Sequence, residues 1–532
     1  MTKVLVCSEF SQIGSGYGTY TKELLAGFLK HGIEFAEMAS YCRPDDNRIQ
    51  NCRWRVYPVM PHTQDVDGWD VYNSHPANAF GKHIFEDVLL DYKPTHVIDV
   101  RDVWNLTHEL ISPLRDFYSY CIMPAVDSDP QSKNWLDMYS KADAVVTYCD
   151  WATNLLHRYG LKNVVGAASP VPAEEFKPLP DRDKLKASLG LGDVKIVGTV
   201  MRNQPRKLFP HLFKMFRKYI ETSGRDDVYL YCHTSYPDVW EMDELLIEHN
   251  IGHKVIFTYY CPACNYIETS FYKGPFAACS HCNQRNSLKL PTTYQPISQY
   301  SLNQIYNLFD LYIQYAALEG YGIPLAEAAA ASIPSMCVDY SAMETFIKES
   351  NTVPIKVKNY HIEPETGRRF ALPDEEDAVA KITELLSLPK SELEQLGKMS
   401  RFMYGVRNTD DIVETWIKAI NGTKPRLNWD SPKRQYRNPQ DYPKNLTHEL
   451  FAKWIIVDVL QDPSYIGSYM EARMVRDLEN GFALVGHDNK YFYEALNIPS
   501  QRFQPFSQEI AFNHFRNLLQ EKLVWEDKRI GV

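Results

Sequence analysis

Short apolar runs alternate with helical patterns along the first 180 residues. Residues 3–7 (KVLVC) predict a strand, 8–18 a glycine-rich loop, and 19–31 a helix with Tyr20, Leu24, Leu25 and Phe28 on one face. Further strands are predicted at 96–100 (HVIDV), 120–124 and 144–147, and the Pro- and Ala-rich stretch 166–180 (GAASPVPAEEFKPLP) reads as a linker. The alternation restarts at 194–200 (VKIVGTV), with helix 208–222, strand 228–233, helix 239–249 and strand 254–258. Helix 302–309, strand 311–317 (LYIQYAA), helix 326–331 (AEAAAA), strand 335–338 and helices near 374–386, 390–403 and 409–420 complete it. Two α/β units imply a cleft between them, where ligands usually bind. Residues 423–445 are polar, basic and Pro-rich, a connector or arm. A mostly helical extension follows from 446 to 532, with Trp454, Tyr465 and residues 512–519 as packing anchors.

One segment says more than this alternation. Residues 319–327 read EGYGIPLAE, with Glu319 and Glu327 joined by Gly320, Tyr321, Gly322 and Pro324. A strand, a glycine turn and a helix N-terminus seat a phosphate, and two acids placed there can hold hydroxyls of a ribose and a sugar. That combination points to a nucleotide-sugar enzyme. Capping of the helix accounts for Glu327 better than for Glu319.

Other candidates lie at strand ends. The cationic run RNQPRK (202–207) follows strand 194–200, at the carboxyl end that faces the cleft. Arg offers a bidentate fork and Lys a point charge, which suits a diphosphate; a solvated charge run is the plainer reading. Gly14, Gly16 and Gly18 follow the first strand with GxGxG spacing, which either permits the turn alone or lets backbone amides approach a diphosphate. Asp127 and Asp129 (PAVDSDP) follow strand 120–124, where a carboxylate can orient an acceptor hydroxyl or a donor sugar; an Asp-Pro turn is the alternative. His75, Asp99, Arg101 and Asp102 are further candidates of this kind.

Cys261-x2-Cys264 and Cys279-x2-Cys282, 14 residues apart, form a four-thiolate zinc pattern. Four thiols leave no open position for water, so the expected zinc is structural; a redox CxxC is the alternative. His281 is expected to be a bystander. Tyr266, Phe271, Tyr272, Lys273 and Phe276 could stack on bases or sugars, with packing around the module as the default.

Composition narrows the classes. A chain of 532 residues with 44% apolar and 23% charged residues predicts two or three soluble domains. A net charge of −10 argues against a nucleic-acid coat, although a local basic groove stays open. The N-terminus MTKVLVCSEF reads as a first strand and not as a signal peptide, and no apolar run nears the roughly 20 residues that span a bilayer. Seven of the 11 Cys are scattered, which fits a reducing, cytoplasmic setting.

EGYGIPLAE resembles the EX7E element of GT-B glycosyltransferases, and its surroundings resemble the retaining GT4 group. ADAVVTYCDWATNLL (142–156), AASPVPAEEFKP (167–178), VGTVMRNQPRK (197–207) and residues 302–334 carry the likeness over most of 1–420. The resemblance implies an α/β GT-B fold of two Rossmann-like domains facing a cleft. Residues 1–180 would form the acceptor domain and 181–422 the donor domain, with the zinc insertion at about 259–295. By the same likeness Arg202 and Lys207 bind the donor diphosphate and Glu327 the nucleotide ribose. Glu319 faces the donor sugar, Gly16 the phosphates, and Gly320, Tyr321 and Gly322 complete the donor site. Asp127 falls roughly where many members have an acceptor-side His. The implied activity moves a sugar with retention from a nucleotide-sugar, a UDP-sugar, to a hydroxyl acceptor. The leaving diphosphate takes the acceptor's proton, and no catalytic metal is expected. The acceptor is left open between a glycan and a hydroxymethylated base in phage-type DNA. A non-enzymatic, zinc-containing nucleic-acid-binding protein is the rival from another class, but it has no use for the EX7E turn. The zinc insertion and the C-terminal extension depart from the family's core and are expected to serve the acceptor or assembly.

Overall fold

The computed structural model describes residues 2–429 except 113, 173, 193, 237, 294 and 406–408, together with 446–459 and positions 466, 471 and 475. Strands β1 (Lys3–Glu9), β2 (Glu34–Ser40), β3 (Arg55–Pro58), β4 (His96–Val100), β5 (Ser119–Ile122), β6 (Ala144–Thr147) and β7 (Val164–Ala167) form a parallel sheet in the order β3-β2-β1-β4-β5-β6-β7. A second sheet begins with β8 (Lys195–Val200), β9 (Val228–His233) and β10 (Val255–Cys261). It adds β11 (Tyr266–Phe271), β12 (Phe276–Ala277), β13 (Leu288–Lys289), β14 (Leu311–Gln314), β15 (Ser335–Val338) and β16 (Val353–Ile355). Its parallel part runs β10-β9-β8-β14-β15-β16. Both sheets step outward from their first strand and then reverse, between β1 and β4 and between β8 and β14. Ligands in such sheets bind at the carboxyl ends of the strands beside this reversal. The glycine loop after β1 and the cationic run after β8 therefore occupy equivalent places in the two domains.

Strands covered on both faces read as continuous apolar runs, and β4 and β14 are buried throughout. β2 escaped prediction because Glu37 interrupts its apolar pattern. That carboxylate is fully buried, and it accepts from the Ser11 amide (2.7 Å), Ser11 Oγ (3.0 Å) and Trp54 Nε1 (2.7 Å). Three donors make its burial tolerable. The predicted strand 311–317 ends early, at Gln314. Past it the chain leaves the sheet, and the Ala317 amide donates to the Arg206 carbonyl (2.7 Å).

Helix Thr409–Gly422, expected in the second domain, packs instead on the first, against helix Gly16–Lys30 and strands β5, β6 and β7. Trp416 is fully buried there, and its Nε1 donates to Tyr20 Oη (2.8 Å). The chain then runs along the first domain until Trp429 stacks on Phe117 at 4.8 Å and donates to the Pro94 carbonyl (2.7 Å). Most of the expected connector, 430–445, lies outside the described residues. The extension is described as helix His448–Trp454 and a π-helical turn Ile455–Val459; its remaining anchors, Tyr465 and 512–519, also lie outside. An unpredicted hairpin of β17 (Val357–Ile362) and β18 (Arg369–Pro373) stands apart from both sheets. Among the described residues no helix is long and apolar enough to cross a membrane.

Candidate functional site

Glu319 sits just beyond β14 with its carboxylate buried. It accepts from Gln314 Nε2 (2.5 Å), from Arg206 Nη1 (2.9 Å) and from Lys207 Nζ. Its amide donates to Ser341 Oγ (3.0 Å). The two cations come from one tight turn, Pro205–Lys207, which ends at Leu208 in the left-handed region (φ 48°). Arg202, the expected diphosphate ligand, does not join this cluster. Its side chain is 49% exposed and pairs with Asp238 at 3.3 Å, so Arg206 and not Arg202 joins Lys207 on Glu319. The sequence could not say which arginine of RNQPRK turns inward, because the turn decides it.

Burial alone would raise the Glu319 carboxyl, but Lys207 and Arg206 outweigh it and hold the group below the usual carboxylate range. Burial, together with the Arg206 charge, pushes Lys207 down to about 8. Two cations against one carboxylate leave net positive charge on this wall.

The turn after Glu319 needs its glycines. A Cβ on Gly320 would lie 3.1 Å from Ala125 Cβ of the first domain, so the two domains touch here. Gly322 adopts φ 106°, which an L side chain rarely does, and caps helix Ile323–Ala330. Pro324 falls in the first turn, where its missing N–H leaves no bond unmade. Glu327 follows one turn later. It is buried, accepts from Tyr306 Oη (2.7 Å), and is pushed up to about 7 by burial. With Tyr20, Glu23, Pro170, Phe176 and Ile323 it lines a narrow interdomain crevice. Tyr321, expected on the donor side, is buried instead. Its ring meets Phe346 edge-on at 5.0 Å and its hydroxyl pairs with Tyr404 Oη at 3.1 Å.

The first domain supplies the opposite wall. Gly16 opens helix Gly16–Lys30, capped by Ser15 Oγ, which accepts from the Gly18 amide (3.0 Å). A Cβ on Gly16 would lie 3.8 Å from Ile323 Cδ1, so the N-termini of two helices meet across the cleft, and the partial positive charge there favours an anion. Tyr17 Oη donates to Asp102 Oδ1 (2.6 Å), and burial raises the Asp102 carboxyl. Burial likewise pushes Asp127 up to about 6, against the opposing charges of Arg368 and Arg206. Arg368 Nη1 reaches Asp127 Oδ2 at 3.3 Å. Asp127, Ser128 and Asp129 spell D-x-D, yet the two carboxylates diverge, since Asp129 Oδ1 accepts from Tyr159 Oη (2.8 Å). Asp99 and Arg101 form a buried pair with Glu109 behind this wall, and His75 caps the turn Pro76–Phe80; neither set joins Glu319.

Sequence reasoning missed Gln314, Tyr306, Tyr17 and Arg368 as neighbours of the site. Gln314 carried a signal, as a polar residue within a buried strand. Arg368 carried none, because only the hairpin brings it across the cleft.

The four predicted metal ligands come together. Cys261 ends β10, Cys264 lies in the turn into β11, and Cys279 and Cys282 lie between β12 and β13. All four sulfurs lie within 4.8 Å of one another, with Cys261–Cys282 at 3.8 Å and Cys264–Cys279 at 3.7 Å. A tetrahedron with Zn–S bonds of about 2.3 Å has edges of about 3.8 Å, so the arrangement fits that ion. His281 stacks on Tyr266 at 5.1 Å. The module touches the first domain at its end: the Gly14 amide donates to the Thr293 carbonyl (3.0 Å).

No family model matches the chain, and no curated protein matches it. Solved structures do. Sucrose-phosphate synthase from Thermosynechococcus elongatus aligns with 14% identity and a TM-score of 0.56 over 79% of this chain and 98% of its own. Anabaena HepE in complex with UDP and glucose aligns with 11% identity and a TM-score of 0.55 over 80% of this chain and 100% of its own. A glycosyltransferase from Rickettsia africae aligns with 12% identity and a TM-score of 0.51, over 79% and 98%. At these identities the likeness is one of fold: the chain has the GT-B architecture, with a cysteine module inserted in its second domain.

Proposed function

We propose that this chain is a retaining glycosyltransferase of the GT4 kind that moves a sugar from a nucleotide-sugar, a UDP-sugar, to a hydroxyl acceptor. The observation that carries this reading is Glu319 locked between Lys207 and Arg206, eight residues before Glu327, at the strand reversal of the second sheet. The solved complex of HepE with UDP and glucose, in the same architecture, supports a uridine donor.

In this mechanism Lys207 and Arg206 face the donor diphosphate and stabilise the charge that grows on it as the glycosidic bond breaks. The meeting N-termini of helices Gly16–Lys30 and Ile323–Ala330 add partial positive charge from both domains. Glu327 accepts from the ribose hydroxyls. Glu319, held by Gln314 and the two cations, turns toward the donor sugar. The departing diphosphate takes the acceptor's proton on the face it leaves, which gives retention without a protein nucleophile. Asp127 borders the acceptor side. Gly320 and Gly322 let the backbone pass close to the donor.

Cys261, Cys264, Cys279 and Cys282 would hold zinc in a structural role, fixing β11 to β13 on the sheet edge. The seven cysteines outside the cluster form no disulfide, which suits a reducing, cytoplasmic setting. A donor-hydrolysis screen across UDP-, GDP- and ADP-sugars tests the activity; turnover of UDP-sugars is expected, and turnover of none overturns the reading. Metal analysis of the purified chain should find about one zinc per chain, lost in Cys279→Ser. No zinc in the unaltered chain would remove the metal assignment.

A further inference from the structure

The first domain carries an exposed aromatic surface beside the cleft that the donor chemistry does not use. Trp104 lies two residues after Asp102, in the short turn Val103–Asn105 that follows β4, and is 56% exposed. Its ring tilts against that of Trp135 on helix Lys133–Lys141, with centroids 6.4 Å apart. Arg368, from the turn of the β17–β18 hairpin, places its guanidinium 5.3 Å from the Trp135 centroid. The same side chain bonds Asp127 (3.3 Å) and Glu363 (2.9 Å). A hairpin of the second domain thus reaches across the cleft and fastens onto this aromatic corner. The corner also borders the donor wall, since Asp127 and Asp102 lie within the fields of both Arg206 and Arg368.

We propose that Trp104, Trp135 and Asp127, closed over by the Arg368 hairpin tip, form the acceptor subsite, and that the acceptor is a neutral carbohydrate whose ring lies on Trp104. This rests on the glycosyltransferase reading above. A binding site for a polyol needs an apolar face with a few polar groups at its rim. An indole offers that face to the C–H side of a sugar ring, and Asp127 and Arg368 supply an acceptor and donors for its hydroxyls. Charge chooses among acceptors. The corner holds Asp102, Asp127, Asp129 and Glu363, while its cations Arg368, Arg206 and Arg158 are each already paired with carboxylates. A surplus of carboxylates repels a phosphate backbone, so a DNA acceptor is disfavoured at this surface even though tryptophan can stack on a base. Arg368 acts as a positioning residue: it holds Trp135 and Asp127 in register with the donor wall.

The test measures transfer from radiolabelled UDP-sugars to three probes: neutral oligosaccharides, the same set bearing carboxylates, and hydroxymethylated duplex DNA. Wild-type chain, Trp104→Ala and Arg368→Lys are compared. Transfer to neutral oligosaccharides is expected. Trp104→Ala should raise the acceptor KM at least tenfold while the donor KM moves less than twofold, which also reports an intact fold. Arg368→Lys should raise the acceptor KM by a smaller factor. Transfer confined to DNA or to acidic glycans, an unchanged acceptor KM in Trp104→Ala, or donor turnover with none of the neutral sugars accepted would each overturn the proposal. Absence of any donor turnover in the wild-type chain would instead remove the transferase reading, and this inference with it.

Discussion

The two walls of the cleft bury carboxylates to a similar degree and leave them in opposite states. On the second domain, Glu319 meets two cations and stays below the usual carboxylate range. On the first, Asp127 shares Arg368 with Glu363 and is pushed up to about 6, and Asp102 faces a tyrosine hydroxyl and is raised as well. Desolvation acts on all three; the number of cations each carboxylate has to itself decides the outcome. Around Glu319 the charge is therefore fixed across the neutral range, suited to a diphosphate, while Glu327, in the helix that follows, is pushed up to about 7 by burial. The first domain's wall changes protonation close to neutrality, suited to a hydroxyl partner.

Removing charge from around Glu319 should have the largest effect. Lys207→Ala is expected to lower kcat by about 10²–10³, the range for losing one group that stabilises developing charge. Thermal unfolding should be followed alongside, because an unpaired buried partner is costly. Near wild-type kcat would put the chemistry elsewhere. A finer break separates the two arginines of the same run. Arg206→Ala should cost at least about tenfold in kcat/KM, whereas Arg202→Ala, on an exposed pair, should stay within about threefold; a reversed ranking would restore Arg202 as the diphosphate ligand. The smallest effect sharpens the contrast between walls. Asp127 is ionised above about pH 6, and Lys207 is protonated below about pH 8. Activity that needs both should rise through the first value and fall through the second, a bell in kcat/KM. Asp127→Asn should reduce the acid limb to the step near pH 7 that Glu327 contributes, and keep the alkaline one. An acid limb unchanged in that variant assigns it to another group.

The pieces that local patterns encode were legible in the chain. EGYGIPLAE announced its strand, turn and helix, and the paired CxxC spacings announced four converging thiols. Two α/β units were visible in the alternation of runs, because parallel strands are apolar on both faces. What failed to show depends on contacts distant in sequence. Glu37 hid β2, since only the fold supplies Ser11 and Trp54 as its donors. Arg206 could not be told from Arg202 until the turn at Leu208 set their directions. Tyr321 looked like part of the donor loop, but Phe346 and Tyr404 draw it into the core. The hairpin carrying Arg368 has no signature of its own, and its importance comes from what it reaches.

Helix Thr409–Gly422 makes the first domain discontinuous in sequence. A fragment ending near residue 180 would lack the helix that covers β5, β6 and β7 and would leave Tyr20 without its Trp416 partner. The chain crosses between the domains twice, once after β7 and once before Thr409. Trp429 anchors beside Pro94 and Phe117, just before β4 and β5, at the end of the sheet away from the cleft. At Trp429 the described chain therefore sits on the face of the first domain opposite the cleft.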